Sequence, residues 1–214
     1  MTYDVCCVGA GCSRCGGVFC SGCSDNTIEL PMFGIGGQHR VCDTCHSCHQ
    51  DEQRLVWAVT RRCAPDLVEV ADGVADSGTL VLVQRIASTP PAGRLEWCTS
   101  QYGESILALA AYGACNEALV TAILHACDKL DSAAALVDNR DPVALRGALH
   151  VACAEGNVGI LTVLLSHFRS SEGVLIMKRL LNSKDNYGLT PVDLADRRGH
   201  HAASQLCRAW QEAK

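Results

Sequence analysis

Lysine is nearly missing from this chain, with four in 214 residues, and aromatic side chains make up only 5%. No apolar run reaches the roughly 20 residues that a helix needs to cross a bilayer. Arginines are scattered, with Arg61-Arg62 and Arg197-Arg198 as the only adjacent pairs, and the net charge is -5 with a pI near 5.9. Nucleic acid requires a basic face, so no nucleic-acid partner is expected. Met1-Thr2-Tyr3-Asp4 is not a basic start followed by an apolar stretch, so no secretory signal is read there. A cytoplasmic chain with reduced thiols is the expectation. Nucleophile–base pairs, phosphate-cradling loops and framed carboxylate pairs are also missing, and the chain is expected not to be an enzyme.

What the chain has in quantity is cysteine and small apolar residues. Hydrophobic residues reach 48%, which argues against global disorder and for helices packed closely through Ala, Leu, Val and Gly. Of 15 cysteines, nine fall within the first 48 residues. The other six (Cys63, Cys98, Cys115, Cys127, Cys153 and Cys207) stand alone in apolar surroundings and read as small packed hydrophobes.

The early cysteines form three knuckles: Cys12-x2-Cys15, Cys20-x2-Cys23 and Cys42-x2-Cys45. Two residues between thiolates let a tight turn aim both sulfurs at one ion, and two knuckles complete a tetrahedral four-cysteine zinc site. A dense cluster of this kind in a reducing compartment points to Zn2+ rather than to disulfides. Gly34-Ile35-Gly36-Gly37 lies between knuckles and is expected to give the chain room to turn.

The residues around these knuckles resemble the FYVE zinc finger. Cys12-Ser13-Arg14-Cys15-Gly16-Gly17-Val18-Phe19-Cys20-Ser21-Gly22-Cys23-Ser24 is similar to its central stretch. Ile28-Glu29-Leu30-Pro31 and Arg40-Val41-Cys42-Asp43-Thr44-Cys45 are similar to its end. The resemblance implies interleaved ligands, with Cys12, Cys15, Cys42 and Cys45 around a first zinc. Cys20 and Cys23 would share a second zinc with an earlier pair. Only Cys6-Cys7 stand upstream here, so either Cys6 or Cys7 would join Cys20 and Cys23 together with a substitute such as His46, Cys48 or His49, or the second site is incomplete. The family binds phosphatidylinositol 3-phosphate on endosomal membranes, which implies Arg40 as a phosphate contact. Its Trp-x-x-Asp element is absent, and Val8-Gly9-Ala10-Gly11 stands where its basic run belongs. Residues 1–50 hold two arginines, no lysines and four acidic side chains, a balance that an anionic leaflet repels.

Beyond residue 50 apolar residues recur at helical spacing. Asp51 to Arg62 reads as a short helix with Leu55, Val56 and Val59 on one side. From about residue 67 a unit recurs: a polar turn, a short helix rich in small residues, a glycine, then a Leu/Ile helix. Its copies start near Ala71 (with Gly78 as the break), Gly103, Gly147 and Asp185. One such helix pair cannot bury its apolar face alone, so neighbours are expected to stack.

These copies resemble ankyrin repeats, most fully at Gly188, Thr190, Pro191 and Ala195, and at Leu149, His150, Ala152 and Gly156. The resemblance implies a structural His150 that hydrogen-bonds backbone. The spacing is longer than the family's ~33 residues: Leu107 to Leu149 is 42 and Leu149 to Val192 is 43. The surplus is expected in loops near Asp128–Asp141 and Arg169–Lys178.

The expected fold is a small zinc-stabilised α+β finger followed by an all-α ankyrin-repeat solenoid. It divides as finger 1–50, linker helix 51–66 and about four repeats over 67–214. The expected function is a zinc-binding, non-enzymatic adaptor that holds a protein partner on its repeats. The alternative is an endosomal effector that binds phosphatidylinositol 3-phosphate. RING-type ubiquitin ligases share the crossed zinc arrangement, but Arg40-Val41-Cys42-Asp43 favours FYVE.

Overall fold

The structure, a computed structural model, describes residues 9–13, 18–20, 25–30, 35–63, 77–88, 95, 98–100, 102–112, 117–127 and 130–212. Two antiparallel hairpins come first. Strand β1 (Gly9–Gly11) pairs with β2 (Val18–Cys20), and β3 (Thr27–Leu30) pairs with β4 (Ile35–Arg40). In the second hairpin Glu29 faces Gln38 while Leu30 faces Ile35, so Gly36 and Gly37 are extra residues in β4. Gly37 has φ +87, the left-handed value that a bulge asks of glycine. Of the glycine run expected to give room to turn, Ile35-Gly36-Gly37 form a bulged strand, while Gly34 lies outside the described residues.

Helix α1 (Asp43–Cys63) follows directly. The helix expected over Asp51–Arg62 thus starts eight residues earlier and crosses residue 50 without a break. Its buried stripe explains this: Cys45, Cys48, Glu52, Leu55 and Val59 recur at intervals of three and four, the helical period. The upper part of the stripe belongs to a small core with Cys12, Ile28 and Val41. The lower part, Leu55 and Val59, belongs to the large core of the helical region.

The remaining helices are α2 (Ser77–Ala87), α3 (Ile106–Ala111), α4 (Glu117–His125), α5 (Leu130–Asp138), α6 (Ala148–Ala154), α7 (Val158–His167), α8 (Ser171–Leu181), α9 (Pro191–Arg197) and α10 (His201–Glu212). They pack in rows. Helices α1, α3, α6 and α9 each touch the next, as do α2, α4, α7 and α10. Thus α1, the last element of the finger, begins one row of the helical region.

The surplus residues between repeat copies are not loops. They form α5 and α8, which pack on one another and make a third row. Ala133, Ala134, Leu136 and Val137 are buried in α5, and Met177, Leu180 and Leu181 in α8, so each insertion has an apolar face of its own to bury. The faint first copy is described only from Ser77, where Gly78 lies inside α2 rather than breaking it; residues 64–76 lie outside the described residues.

The row of short helices is built on small side chains. Ala108, Ala110, Ala111, Ala148, Ala152 and Ala195 are buried, which lets backbones approach closely. Caps set where these helices start. The Ser105 hydroxyl accepts from Ala108 N, and Thr190 and Asp193 form a reciprocal capping box with Pro191 at the first helical position. Cys98, Cys153 and Cys207 are fully buried, as expected of packed hydrophobes, with the Cys153 and Cys207 sulfurs 3.5 Å apart. Cys127 is half-buried, while Cys115 and the Cys63 side chain lie outside the described residues.

A polar side chain organises the turn before each short helix. Ser100 Oγ accepts from Tyr102 N and Glu104 N. Asp141 accepts from the backbone of Val143, Ala144 and Arg146. Asp185 accepts from Tyr187 N and Leu189 N, and takes Arg146 Nε at 3.0 Å, tying one turn to its neighbour. Burial opposes the Asp185 charge, but the hydrogen bonds from Leu189, Arg146 and Tyr187 outweigh it and hold the carboxyl below its usual range. The first and third turns place Gly103 and Gly188 at positive φ, whereas the middle turn places Leu145 there, at φ +55.

His150 has its expected structural role. Gly147 N donates to Nδ1 at 3.4 Å, and Nε2 donates to the Ser183 carbonyl at 3.1 Å, which selects the neutral tautomer with the proton on Nε2. Burial first, then the Arg140 charge, lowers its pKa from 6.5 to about 4.

Two outcomes follow from these turns. Leu145 is 42% exposed, so Leu145→Gly relieves left-handed strain but gives up a partly buried side chain. The strain relieved, about 1–2 kcal/mol, is offset by glycine's chain entropy and the lost burial, so stability in chemical denaturation should change by less than about 1 kcal/mol despite the large truncation. For His150, the unfolded chain takes up a proton below about pH 6.5 that the folded chain refuses until about pH 4. Stability should fall as pH drops through that window, by up to about 3 kcal/mol. His150→Gln, less stable at neutral pH, should show a flatter profile between pH 7 and 5.

Candidate metal centre

Cys12 follows β1, Cys42 follows β4, and Cys45 sits in the first turn of α1. Two backbone hydrogen bonds and one between side chains bring these segments together. Ser13 N donates to the Arg40 carbonyl at 3.1 Å, Val41 N donates to the Asn26 carbonyl at 2.9 Å, and the Asn26 amide donates to Asp43 Oδ1 at 2.7 Å. The outcome is a cluster in which the sulfurs of Cys12, Cys42 and Cys45 all lie within 4.8 Å of one another.

Cys12 and Cys45 are buried and Cys42 is half-buried. None of the three is in a disulfide. Cys42 N points at Cys12 Sγ at 3.4 Å, a donor placed where a thiolate wants one. Both Cys42 and Cys45 adjoin the N-terminus of α1, whose dipole favours negative sulfur. Thiolates about zinc at ~2.3 Å lie roughly 3.8 Å apart, which separations within 4.8 Å allow for these three sulfurs. Three clustered soft ligands in a largely buried setting fit a structural zinc site.

Cys15, the fourth ligand implied by the resemblance, lies outside the described residues, as do Cys6, Cys7 and Cys23 and the side chain of Cys20. The second zinc site therefore falls outside the described residues. Its suggested substitutes can be placed. Cys48 packs into the same small core as Cys12 and Cys45. His49 lines a cleft beside Glu52 and Gln53, and His46 is half-buried on α1. What the knuckle motif obscured was the helical stripe: Cys45, Cys48 and Glu52 already carried a period of three and four.

Arg40 ends β4 next to the cluster, and its side chain is 41% exposed. Its Nη2 reaches Asp25 Oδ1 at 3.0 Å. His39, alongside, contacts the Gly36 carbonyl through Nε2 at 3.0 Å.

Comparison with known proteins agrees with this geometry. Residues 9–51 match the FYVE zinc finger family. The chain is 34% identical over 59 residues to WD repeat and FYVE domain-containing protein 2 of Homo sapiens and of Mus musculus, covering 28% of this chain and 15% of either relative. It is 50% identical over 36 residues to vacuolar protein sorting-associated protein 27 of Mycosarcoma maydis, covering 17% of this chain and 4% of that one. The likeness thus spans a small part of the relatives' length. In fold, the chain is similar to one in the crystal structure of the yeast ribosomal protein Rps3 in complex with its chaperone Yar1. The TM-score is 0.54 at 15% identity, over 77% of this chain and 95% of that one. A FYVE zinc finger therefore occupies residues 9–51, its cysteine cluster is consistent with Zn2+, and a mostly helical region follows.

Purified chain should carry at least one zinc ion by elemental analysis. Cys12→Ser and Cys45→Ser should each release it and unfold the finger, because metal binding in such modules supplies about 10–16 kcal/mol of folding energy. Full zinc retention in either variant would contradict the assignment.

Proposed function

We propose that this chain is a non-enzymatic recruitment protein. Its FYVE finger binds phosphatidylinositol 3-phosphate on endosomal membranes through Arg40, and its helical rows, as ankyrin-type repeats, hold a protein partner. The observation that carries this reading is the FYVE match over residues 9–51, which includes Arg40-Val41-Cys42 with Arg40 exposed beside the cysteine cluster. The names of the relatives, FYVE domain-containing and vacuolar protein sorting-associated, agree with membrane traffic. Among the described residues no helix is long and apolar enough to cross a membrane, so attachment by this route would be peripheral.

In this reading zinc supplies structure and no chemistry. It fixes the end of β4 against the start of α1, and so fixes the direction in which Arg40 leaves the backbone. A guanidinium offers a phosphate monoester a bidentate contact. Asp25 competes for the same group at 3.0 Å.

The Asp25 contact and the acidic balance of the finger also support a second reading, in which the finger is purely structural and the chain acts as a protein adaptor. Sedimentation with vesicles containing phosphatidylinositol 3-phosphate separates the two. In the first reading Arg40→Ala abolishes binding, while Asp25→Ala strengthens it severalfold by removing one competitor for the guanidinium. Wild-type chain that ignores the lipid at low ionic strength would leave the adaptor reading.

A further inference from the structure

The finger and the helical region meet along one side of α1, and there they leave a cleft of about 510 Å³. That is within the roughly 300–1,000 Å³ typical of ligand clefts. Its floor is apolar, with Val56 and Leu109. Among the described residues three carboxylates line it, each from a different element: Glu29 from β3, Glu104 from the turn before α3, and buried Glu52 from α1, which has His49 Nδ1 3.8 Å away. Among the described residues no lysine or arginine lines it.

Two aromatic rings complete the walls, Trp57 and Tyr102. They are 61% and 68% exposed in a chain that has few aromatics to expose. Trp57 leaves α1 on the side away from buried Leu55 and Val59. Both are nonetheless rigidly presented. Trp57 stands in the middle of a 21-residue helix. Tyr102 stands on a turn pinned by Ser100, whose hydroxyl accepts from Tyr102 N and Glu104 N and donates to Glu104 Oε2 at 3.0 Å. The next residue, Gly103, lies at φ +82 directly over Pro142, so the turn has little room to move. Aromatic rings on fixed backbone contribute binding area at small entropic cost.

We propose that this cleft binds an arginine side chain from an extended segment of a partner protein. The aromatic faces attract a cation, and the carboxylates neutralise it with charge-assisted hydrogen bonds. Arginine suits the site better than lysine, because a planar guanidinium stacks on a ring and pairs with carboxylate at the same time. Because the walls come from the finger, from α1 and from the helical region, an occupant bridges all three. The site is separate from Arg40 and does not depend on lipid binding.

The test is an NMR titration of the full, zinc-loaded chain with the peptide acetyl-Gly-Gly-Arg-Gly-Gly-amide, and with versions carrying lysine or uncharged citrulline instead. Arginine peptide should shift the resonances around Trp57 and Tyr102, lysine peptide should bind more weakly, and citrulline peptide should bind at least about tenfold more weakly. Trp57→Leu, at an exposed site, and Glu104→Gln, which keeps an oxygen to accept the Ser100 hydroxyl, should each weaken the arginine peptide about fivefold or more. Glu172→Gln on distant α8 and Arg40→Ala should leave the affinity unchanged. The proposal is overturned if the arginine peptide does not bind, if citrulline binds equally well, or if Trp57→Leu and Glu104→Gln bind like wild type.

Discussion

Helix α1 is buried in two different environments along one face. Its first turns pack against the small core of Cys12, Ile28 and Val41, and its later turns place Leu55 and Val59 in the large aliphatic core. Everything else is arranged around that shared helix. The finger is too small to bury much apolar surface, so it depends on sulfur and metal for its stability. The helical region gains from α1 a first partner for α3. A rigid helix of 21 residues therefore couples a metal-ordered module to a packed one.

The helical region solves a second problem, that of burying short helices with polar turns between them. Small residues allow the close approach, and Ser100, Asp141 and Asp185 take up the backbone N–H groups that the turns would otherwise leave unmet. Asp185 goes further, since its contact with Arg146 joins adjacent turns, and the His150 bond to Ser183 joins one unit to the next. These are polar groups in buried settings with their partners supplied, which specifies register between units as well as stability.

The two candidate recognition sites are built from different residues. Arg40 projects beside the cysteine cluster, where zinc would hold its backbone in place. The acidic, aromatic cleft lies where finger and helices meet. One favours an anionic ligand and the other a cationic one, so an acidic chain with few lysines can discriminate between partners by local charge rather than by its overall field.

The residues alone determined a good deal. Cysteine spacing identified the metal chemistry, because chelation is a short-range constraint written in two-residue gaps. The recurring turn-helix-glycine-helix pattern located α3, α4, α6, α7, α9 and α10, since each helix carries its own apolar period. It did not disclose that the insertions would fold as α5 and α8, because their apolar faces matter only once they meet each other. Nor did it disclose that the helix after the finger begins inside it: the knuckle at Cys42 and Cys45 masked the helical stripe that continues to Val59. Which carboxylates and rings would share a cleft was decided by tertiary structure alone. Glu29, Trp57 and Glu104 are far apart in the chain, and only the packing of β3, α1 and the turn before α3 brings them around one cavity.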